Sequence, residues 1–393
     1  MRILAIETSC DDTAICLAEV QGDIERDFKF RILGNAQQSQ VVHTLYGGVF
    51  PNLAKREHAR NLVPMLAEAL RNTKGSGKAG EITASKEDLR NILARESGLF
   101  ELLIQFLEKN ARPDIDAIAV TVGPGLEPAL WTGINFAKAL GSAWGAPIIG
   151  VNHMEGHFLI SLLEKRNEEF SISNFQFPIL GLLISGGHTE LVLSREFLKY
   201  EIIGKSRDDA VGEAFDKVAR MLGLPYPGGP HISALAEEAR KNQLGSGDIK
   251  FPRPMLHSGD LDFSFAGLKT AVKKIVDANQ PLTDDIKRII AREFEDTVAE
   301  VLLRKTLEAV ETHSIKTVVL GGGVSANIHI RRIFTEALAK EGVLCLISEK
   351  NFTTDNAVMI VLAGYFRARK GEFTSSADLK ASGSLALSVE DSE

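Results

Sequence analysis

Residues 1–19 read MRILAIETSCDDTAICLAE, and residues 179–193 read ILGLLISGGHTELVL. Each stretch is an apolar run, a polar turn and a second apolar run. Met1–Ile6 and Thr13–Glu19 can pair across a turn at Cys10–Asp12. Ile179–Ile184 and Glu190–Leu193 can pair around Ser185-Gly186-Gly187-His188-Thr189. Short apolar runs bounded by turn residues are strands. Identity between the two turns is low, so the echo is architectural: strand, polar turn, strand, twice in one chain. It predicts a duplicated α/β fold, two lobes around a central cleft.

The flanking segments agree. Ala54–Leu70 carries helical periodicity, with Leu62, Leu66 and Leu70 spaced by four. Asp114–Val122 is a strand ending in Gly123-Pro124-Gly125-Leu126, followed by a helix around Gly133–Trp144 and a short strand at Pro147–Val151. Such alternation argues for partly parallel sheets. The expected first lobe is 1–150, with an insertion at about 74–113, completed by a C-terminal helix at 356–370. The second lobe is 151–355, and a Ser-rich tail, 371–393, is expected to be mobile near its end. Within the insertion, Lys74–Ala84 reads as a linker. Lys86–Asn110 reads as one or two helices that Ser85 and Asp88 could cap.

Composition narrows the function classes. A chain of 393 residues exceeds one core at roughly 150 residues per domain. With 44% hydrophobic and 25% charged residues it is neither a disordered chain nor a coiled coil. No apolar run reaches the roughly 18 residues of a membrane helix, and the start lacks the marks of a signal peptide, so no membrane is expected and the cytoplasm is the expected location. Cys10, Cys16 and Cys345 form neither a disulfide framework nor a zinc ribbon. At net charge −7, any RNA contact must use a local basic patch.

The sharpest chemical signal is Asn152-His153-Met154-Glu155-Gly156-His157, which follows a strand and opens an apolar helix at Phe158–Leu163. Histidines four apart share a helix face, which suits two imidazoles on one metal but also occurs by chance. A zinc peptidase needs Glu directly after the first His. Met154 stands there, and Glu155 lies about 200° round the helix from the metal face. Thr354 or Asp355, just before the apolar helix Ala357–Tyr365, could cap it, and Asp355 could be a third ligand; the two roles are compatible.

Three glycine-rich turns invite a nucleotide: Leu183–Gly187, Tyr226–Pro230 and Gly321–Asn327. Without side chains the backbone can approach phosphate or base closely. Lys74–Ala79 lacks the glycine spacing and terminal Ser/Thr of a P-loop. Asp216, beside the buried stripe Ala214, Phe215, Val218 and Leu222, is either a surface carboxylate or an acceptor for ribose hydroxyls. Asp11 and Asp12 crown the first hairpin, where they either solvate the turn or face phosphate and metal. Cys10 beside them lacks an electropositive setting that would activate it.

Ten motifs occur together in order: ETSCDDT at Glu7, YGGVFPNLAKREH at Tyr46, GPGL at Gly123, NHMEGH at Asn152, ISGGHTEL at Ile184, GEAFDK at Gly212, YPGGP at Tyr226, DFSFAGLKT at Asp262, GGGVSAN at Gly321 and FTTDNAVMI at Phe352. Together they closely resemble the tRNA threonylcarbamoyladenosine transferase family of the bacterial TsaD type. The resemblance implies the duplicated fold of actin, Hsp70 and sugar kinases (ASKHA). It implies transfer of a threonylcarbamoyl group from threonylcarbamoyl-AMP to N6 of adenosine 37 in tRNAs reading ANN codons. By the same resemblance His153, His157 and Asp355 match the ligands of one divalent metal ion per subunit, iron by preference, with zinc the other option. Leu183, Ile184, Ser185, Gly186, Gly187, Asp216, Gly229 and Asn327 match the adenylate site, and Asp11 an acid implicated in activity. Implied partners are tRNA, a homologous non-catalytic TsaB-like subunit and a small TsaE-like ATPase. Asp12 stands where many members have Glu, and Ser233 where some have Asp. An ATPase or phosphotransferase of the same fold would give the histidine pair no role. A non-catalytic paralogue would lack the metal and nucleotide residues.

Overall fold

The computed structural model describes residues 1–387 except 25, 74, 77, 246 and 248. The chain forms two compact units: Met1–Val42, Val49–Ser173 and Asp355–Ala386 make the first; His43–Gly48 and Asn174–Thr354, with Leu387, make the second. The first unit runs past 150 to Ser173, so both histidines of NHMEGH belong to it and not to a second lobe opening at 151.

The first unit's strands are β1 (Arg2–Glu7), β2 (Asp12–Asp23), β3 (Arg26–Ser39), β4 (Gly75–Ser76), β5 (Arg112–Pro113), β6 (Ala117–Gly123), β7 (Ile148–Asn152), β8 (Leu163–Arg166) and β9 (Glu169–Ile172). The second unit's are β10 (Ile179–Ile184), β11 (Thr189–Glu196), β12 (Lys199–Lys205), β13 (Thr317–Gly321) and β14 (Leu344–Ile347). Among the described residues the first unit's main sheet has the order β7-β6-β1-β2-β3-β9-β8, and the second unit's sheet the order β12-β11-β10-β13-β14. The shared part has one design. A hairpin with a third antiparallel strand (β1-β2-β3; β10-β11-β12) is extended by two parallel strands (β6-β7; β13-β14). The registers agree as well. Arg2↔Glu19 through Glu7↔Ala14 matches Ile179↔Ser194 through Ile184↔Thr189.

The helices of the first unit are α1 (Pro51–Leu70), α2 (Lys86–Ile92), α3 (Leu99–Lys109), α4 (Glu127–Trp144), α5 (His153–Ile160) and, far along the chain, α11 (Ala357–Arg369). Alternation along β1 decides what lies on each face. Leu4 and Ile6 join Leu62 and Leu66 of α1 and Ile134 and Leu140 of α4 in one core cluster. Ala5 pairs with Ala119, and a Cβ on Gly364 of α11 would come within 2.6 Å of the Ala119 methyl. α11 therefore lies against the opposite face at a separation only glycine permits. This explains why α11 is apolar on all sides, with Ala357 through Phe366 buried.

The tail is packed into the first unit as far as Ala386. Thr374 donates its N–H to Ile148 (2.8 Å), Ser382 to Val122 (2.9 Å), Gly383 accepts from Gly125 (3.1 Å), and Leu379 is buried. Residues 388–393, where mobility was expected, lie outside the described residues. The glycine-rich linker is also held in place: β4 pairs with β5, Gly80 donates to Leu107 and Thr83 to Ala143. Lys74 and Gly77 of that stretch lie outside the described residues. Two helices follow, α2 and α3, and the Ser85 side chain caps α2 by accepting from the Asp88 N–H (3.1 Å).

In the second unit, α6 (Val211–Met221), α7 (Gly228–Lys241), α8 (Ala266–Ala278), α9 (Asp284–His313) and α10 (Ile328–Lys340) surround the five-stranded sheet. Arg240 of α7 pairs with Glu295 and Asp296 of α9, and His329 reaches Asp296 at 3.0 Å. Burial opposes charge on Asp296, but His329 and Arg240 outweigh it and hold its carboxyl down at about 2. A depressed carboxylate stabilises above its unfolded value, near 4, and that contribution is lost as pH falls from about 4 to 2. Asp296→Asn is therefore expected to cost about 2 kcal/mol at pH 7 and almost nothing at pH 2. Urea midpoints measured against pH check this, and a penalty that does not vary with pH would contradict the ion-pair account.

Candidate functional site

α5 starts at His153 immediately after β7. The Asn152 side chain caps it, accepting the N–H groups of Met154 (2.8 Å) and Glu155 (3.3 Å). Helical spacing then puts both imidazoles on one face, with ring centroids 4.7 Å apart and planes at 87°. Asp355 arrives from the residue pair preceding α11. Asn356 is the cap of α11, its side chain accepting from Met359 N–H (3.0 Å), so the capping role expected of Thr354 or Asp355 falls one residue later. The Asp355 Oδ1 atom lies 3.1 Å from His157 Nε2 and 3.3 Å from His153 Nε2. One ligand atom from each of the three residues falls within 4.8 Å of the others. Glu155 points away, as its spacing requires. It is buried and gripped through both oxygens by Arg367 of α11 (2.7 and 2.9 Å). A peptidase arrangement is thus absent from these two helices.

Three observations test whether these residues suit a divalent cation. The donors are two imidazole nitrogens and a carboxylate, a set that first-row metals accept. Burial opposes charge on His153, but Asp355 and Glu7 more than offset it and push the ring up to about 10, while Asp355 is held well below the usual carboxylate range. The cluster therefore favours positive charge at its centre. His157, lowered chiefly by burial, is the ring that stays neutral, and its buried Nδ1 has no hydrogen-bond partner among the described residues. The residues fit the group.

Asp11 lies on the turn between β1 and β2, which a buried His58 from α1 clamps. The Cys10 carbonyl can only accept, so His58 donates Nε2–H to it (3.0 Å) and accepts the Thr13 hydroxyl at Nδ1 (2.8 Å). Asp12 accepts from Ser39, and burial followed by the Asp355 charge raises it to about 7. The Cys10 thiol is pushed far up by burial and then by Asp11, so it is not a nucleophile. Sequence reasoning passed over Glu7 and His58. The available signal was a carboxylate closing an apolar strand and a histidine recurring on the buried face of an amphipathic helix.

The second unit gathers its glycine turns around the end of β10. The Leu183 and Ile184 side chains are buried, while the Ser185–His188 turn is closed by Ser185 N–H to His188 carbonyl (2.9 Å). Gly186 and Gly187 are open to solvent, and added Cβ atoms there would meet nothing within 4 Å. Gly322, at φ +86°, packs on the Ile184 carbonyl, where a Cβ would come within 2.4 Å. A Cβ on Gly212 of α6 would come within 2.6 Å of the Ser185 carbonyl. Asp216 accepts the Gly228 N–H (2.6 Å), tying α6 to the start of α7, and Gly229 beside it is open. Asn327 caps α10 through Ile330 N–H (2.9 Å) and donates to Glu295 (2.6 Å) and Ser233 (3.4 Å). Its amide is thus committed to the fold, as is the Gly187 N–H, which the Ser185 hydroxyl oxygen accepts (3.3 Å).

A duplicated hairpin-plus-parallel-strand sheet, with a histidine–carboxylate cluster in one unit and glycine turns in the other, defines a class: the ASKHA-type α/β fold. Solved structures agree on that fold. Full-length HypF in its phosphate- and nucleotide-bound form matches at a TM-score of 0.52 and 14% identity, over 94% of this chain and 46% of that one. T. kodakarensis HypF matches at 0.52 and 13%, over 96% and 49%. A family model, TsaD, tRNA N6-adenosine threonylcarbamoyltransferase, matches residues 31–82 and 99–362. The tRNA N6-adenosine threonylcarbamoyltransferase of Ralstonia pickettii (strain 12J) is 40% identical over 93% of this chain and 91% of its own. That of Thermodesulfovibrio yellowstonii is 39% identical over 95% and 96%. The chain belongs to the TsaD family of transferases. The stretch left unmatched inside the family region, 83–98, is shorter than the expected insertion and contains α2.

Proposed function

We propose that this chain transfers the threonylcarbamoyl group of threonylcarbamoyl-AMP to N6 of adenosine 37 in tRNAs reading ANN codons. The observation that carries the reading, within a TsaD-family chain, is the convergence of His153, His157 and Asp355. A phosphotransferase would leave that cluster without a task. When bound, a divalent ion, iron or zinc, supplies Lewis acidity toward an oxygen of the acyl donor.

The remaining chemistry falls to the chain. The side-chain-free backbone at Gly186, Gly187 and Gly229 approaches the adenylate phosphate, with Leu183, Ile184 and Ser185 forming the wall behind it and Asn327 holding the neighbouring turn. Asp216 fixes Gly228 beside them. The N6 amine attacks the carbamoyl carbon, a C–N bond forms, the C–O bond to phosphate breaks, and AMP departs. The amine loses one proton, which Asp11 accepts. An exocyclic amine is a weak nucleophile, so the rate comes from positioning and from stabilising the tetrahedral oxygen and leaving phosphate. The adenosine is presented from a single-stranded loop, splayed out of its stack. The setting is the cytoplasm; a TsaB-like subunit and a TsaE-like ATPase are the proposed partners. Among the described residues no helix is long and apolar enough to cross a membrane.

The test is transfer from preformed threonylcarbamoyl-AMP to unmodified tRNA without ATP, with and without the partner proteins, read by mass spectrometry of the nucleosides. Product under these conditions supports the reading; ATP hydrolysis with no product overturns it. Asp11→Asn is expected to lower turnover by about 10²-fold with donor binding intact. Full turnover in that variant removes Asp11 as the proton acceptor.

A further inference from the structure

Glu7 closes β1 and is fully buried. Its two oxygens serve three donors. Oε1 accepts the Ser9 N–H, and Oε2 accepts the Thr121 hydroxyl of β6 (2.6 Å) and faces His153 Nδ1 (3.0 Å). A carboxylate can only accept, so His153 carries a hydrogen on Nδ1. Nε2, the nitrogen facing Asp355 (3.3 Å), is the one left for a metal to take. His157 has no such anchor among the described residues, its far nitrogen being without a partner. The Ser9 bond connects the same carboxylate to the turn that carries Asp11.

We propose that Glu7 is a positioning residue: it fixes the tautomer and orientation of His153 as a metal ligand and couples that ligand to the Ser9–Asp12 turn. The inference rests on the metal reading given above. Carboxylates behind ligating histidines orient the ring and raise its basicity, and their loss costs about 10–100-fold in metal affinity.

The isosteric variant Glu7→Gln is a sharp test. The Ser9 N–H can only donate, so it claims the amide oxygen, and the NH2 group takes the place of Oε2. That NH2 can only donate, which forces His153 Nδ1 to accept and leaves the ring hydrogen on Nε2 alone. Thr121 adjusts by rotating its hydroxyl. The variant thus keeps size and burial but offers the metal the wrong nitrogen.

Full-length wild type, Glu7→Gln and Thr121→Val are titrated with Co2+, reading the visible spectrum, and 15N-histidine NMR of the metal-free proteins reports whether Nδ1 of His153 carries a hydrogen. We expect a hydrogen on Nδ1 of His153 in wild type and none there in Glu7→Gln, with about 10–100-fold weaker Co2+ binding in the variant. Thr121→Val, which loses only the hydroxyl donor, should stay within about threefold of wild type. Equal Co2+ affinity in wild type and Glu7→Gln overturns the role of Glu7 while leaving the metal reading intact. Equal losses in both variants reduce Glu7 to general packing and also overturn it. Failure of wild type to bind Co2+ at His153 overturns the metal reading and this inference with it. If Glu7→Gln does not fold, the wild-type ring decides: a hydrogen on Nδ1 supports the proposal and a bare Nδ1 ends it.

Discussion

His153→Ala is expected to strip the metal and abolish transfer while the fold survives. The ring is held at both nitrogens, by Glu7 and by Asp355, so its removal takes away a ligand and the link between two carboxylates. His157 and Asp355 alone leave two donors, too few for a stable site of this type. Affinity should therefore fall by more than the ~10–100-fold expected for losing a supporting residue. A Lewis acid contributes several kcal/mol to the transition state, so transfer should fall by at least ~10³-fold. The fold does not depend on this ring. α5 keeps its Asn152 cap and its Glu155 contact with Arg367, and the first unit's core lies elsewhere, around Leu4, Ile6, Leu62 and Ile134. Metal analysis, nucleoside mass spectrometry and circular dichroism check the three parts. Wild-type transfer by a metal-free, folded variant would remove the cluster from the mechanism.

Much of this was legible in the sequence, for identifiable reasons. The duplicated hairpins were visible because strand periodicity and turn residues are local, and both sheets contain them in matching register. The histidine pair was visible because a four-residue spacing fixes a helix face without knowledge of anything else. Asp355 was less visible. Thr354, Asp355 and Asn356 are all good caps, and only the backbone shows that helix entry falls at Asn356, leaving the preceding carboxylate to turn toward the imidazoles. Glu7 and His58 were invisible as participants because their partners are distant in the chain: His153 lies beyond β6 and β7 from Glu7, and His58 reaches back to Cys10 and Thr13. Tail packing was hidden for a different reason. It is carried by backbone hydrogen bonds and one buried side chain, Leu379, so its polar composition gave no sign of it.

Arg367→Met is expected to cost the most stability of any single change at this site. Glu155 is 1% exposed, and Arg367 supplies it with a charged partner through two parallel bonds. Burial disfavours charge on Arg367, yet Glu155 outweighs it and raises the guanidinium further above its ordinary range. Removing one member of a buried pair leaves the other as an uncompensated charge, a loss of about 3–5 kcal/mol. Methionine retains much of the length of the stem, so the loss is electrostatic rather than a cavity. The double replacement Glu155→Gln with Arg367→Met should recover more than half of that loss, because no bare carboxylate then remains. The pair also sets the site geometry. α5 carries His153 and His157, α11 follows directly on Asp355, and the two helices pack so closely at Gly156 that a Cβ there would come within 2.9 Å of the Met359 side chain. Loosening the strut should therefore weaken metal binding as well, even though neither Glu155 nor Arg367 touches the ligand atoms. Urea midpoints for the single and double variants, together with metal titrations of each, separate the two effects. A double variant as unstable as Arg367→Met would show that the arginine acts through packing and not through the charge it neutralises.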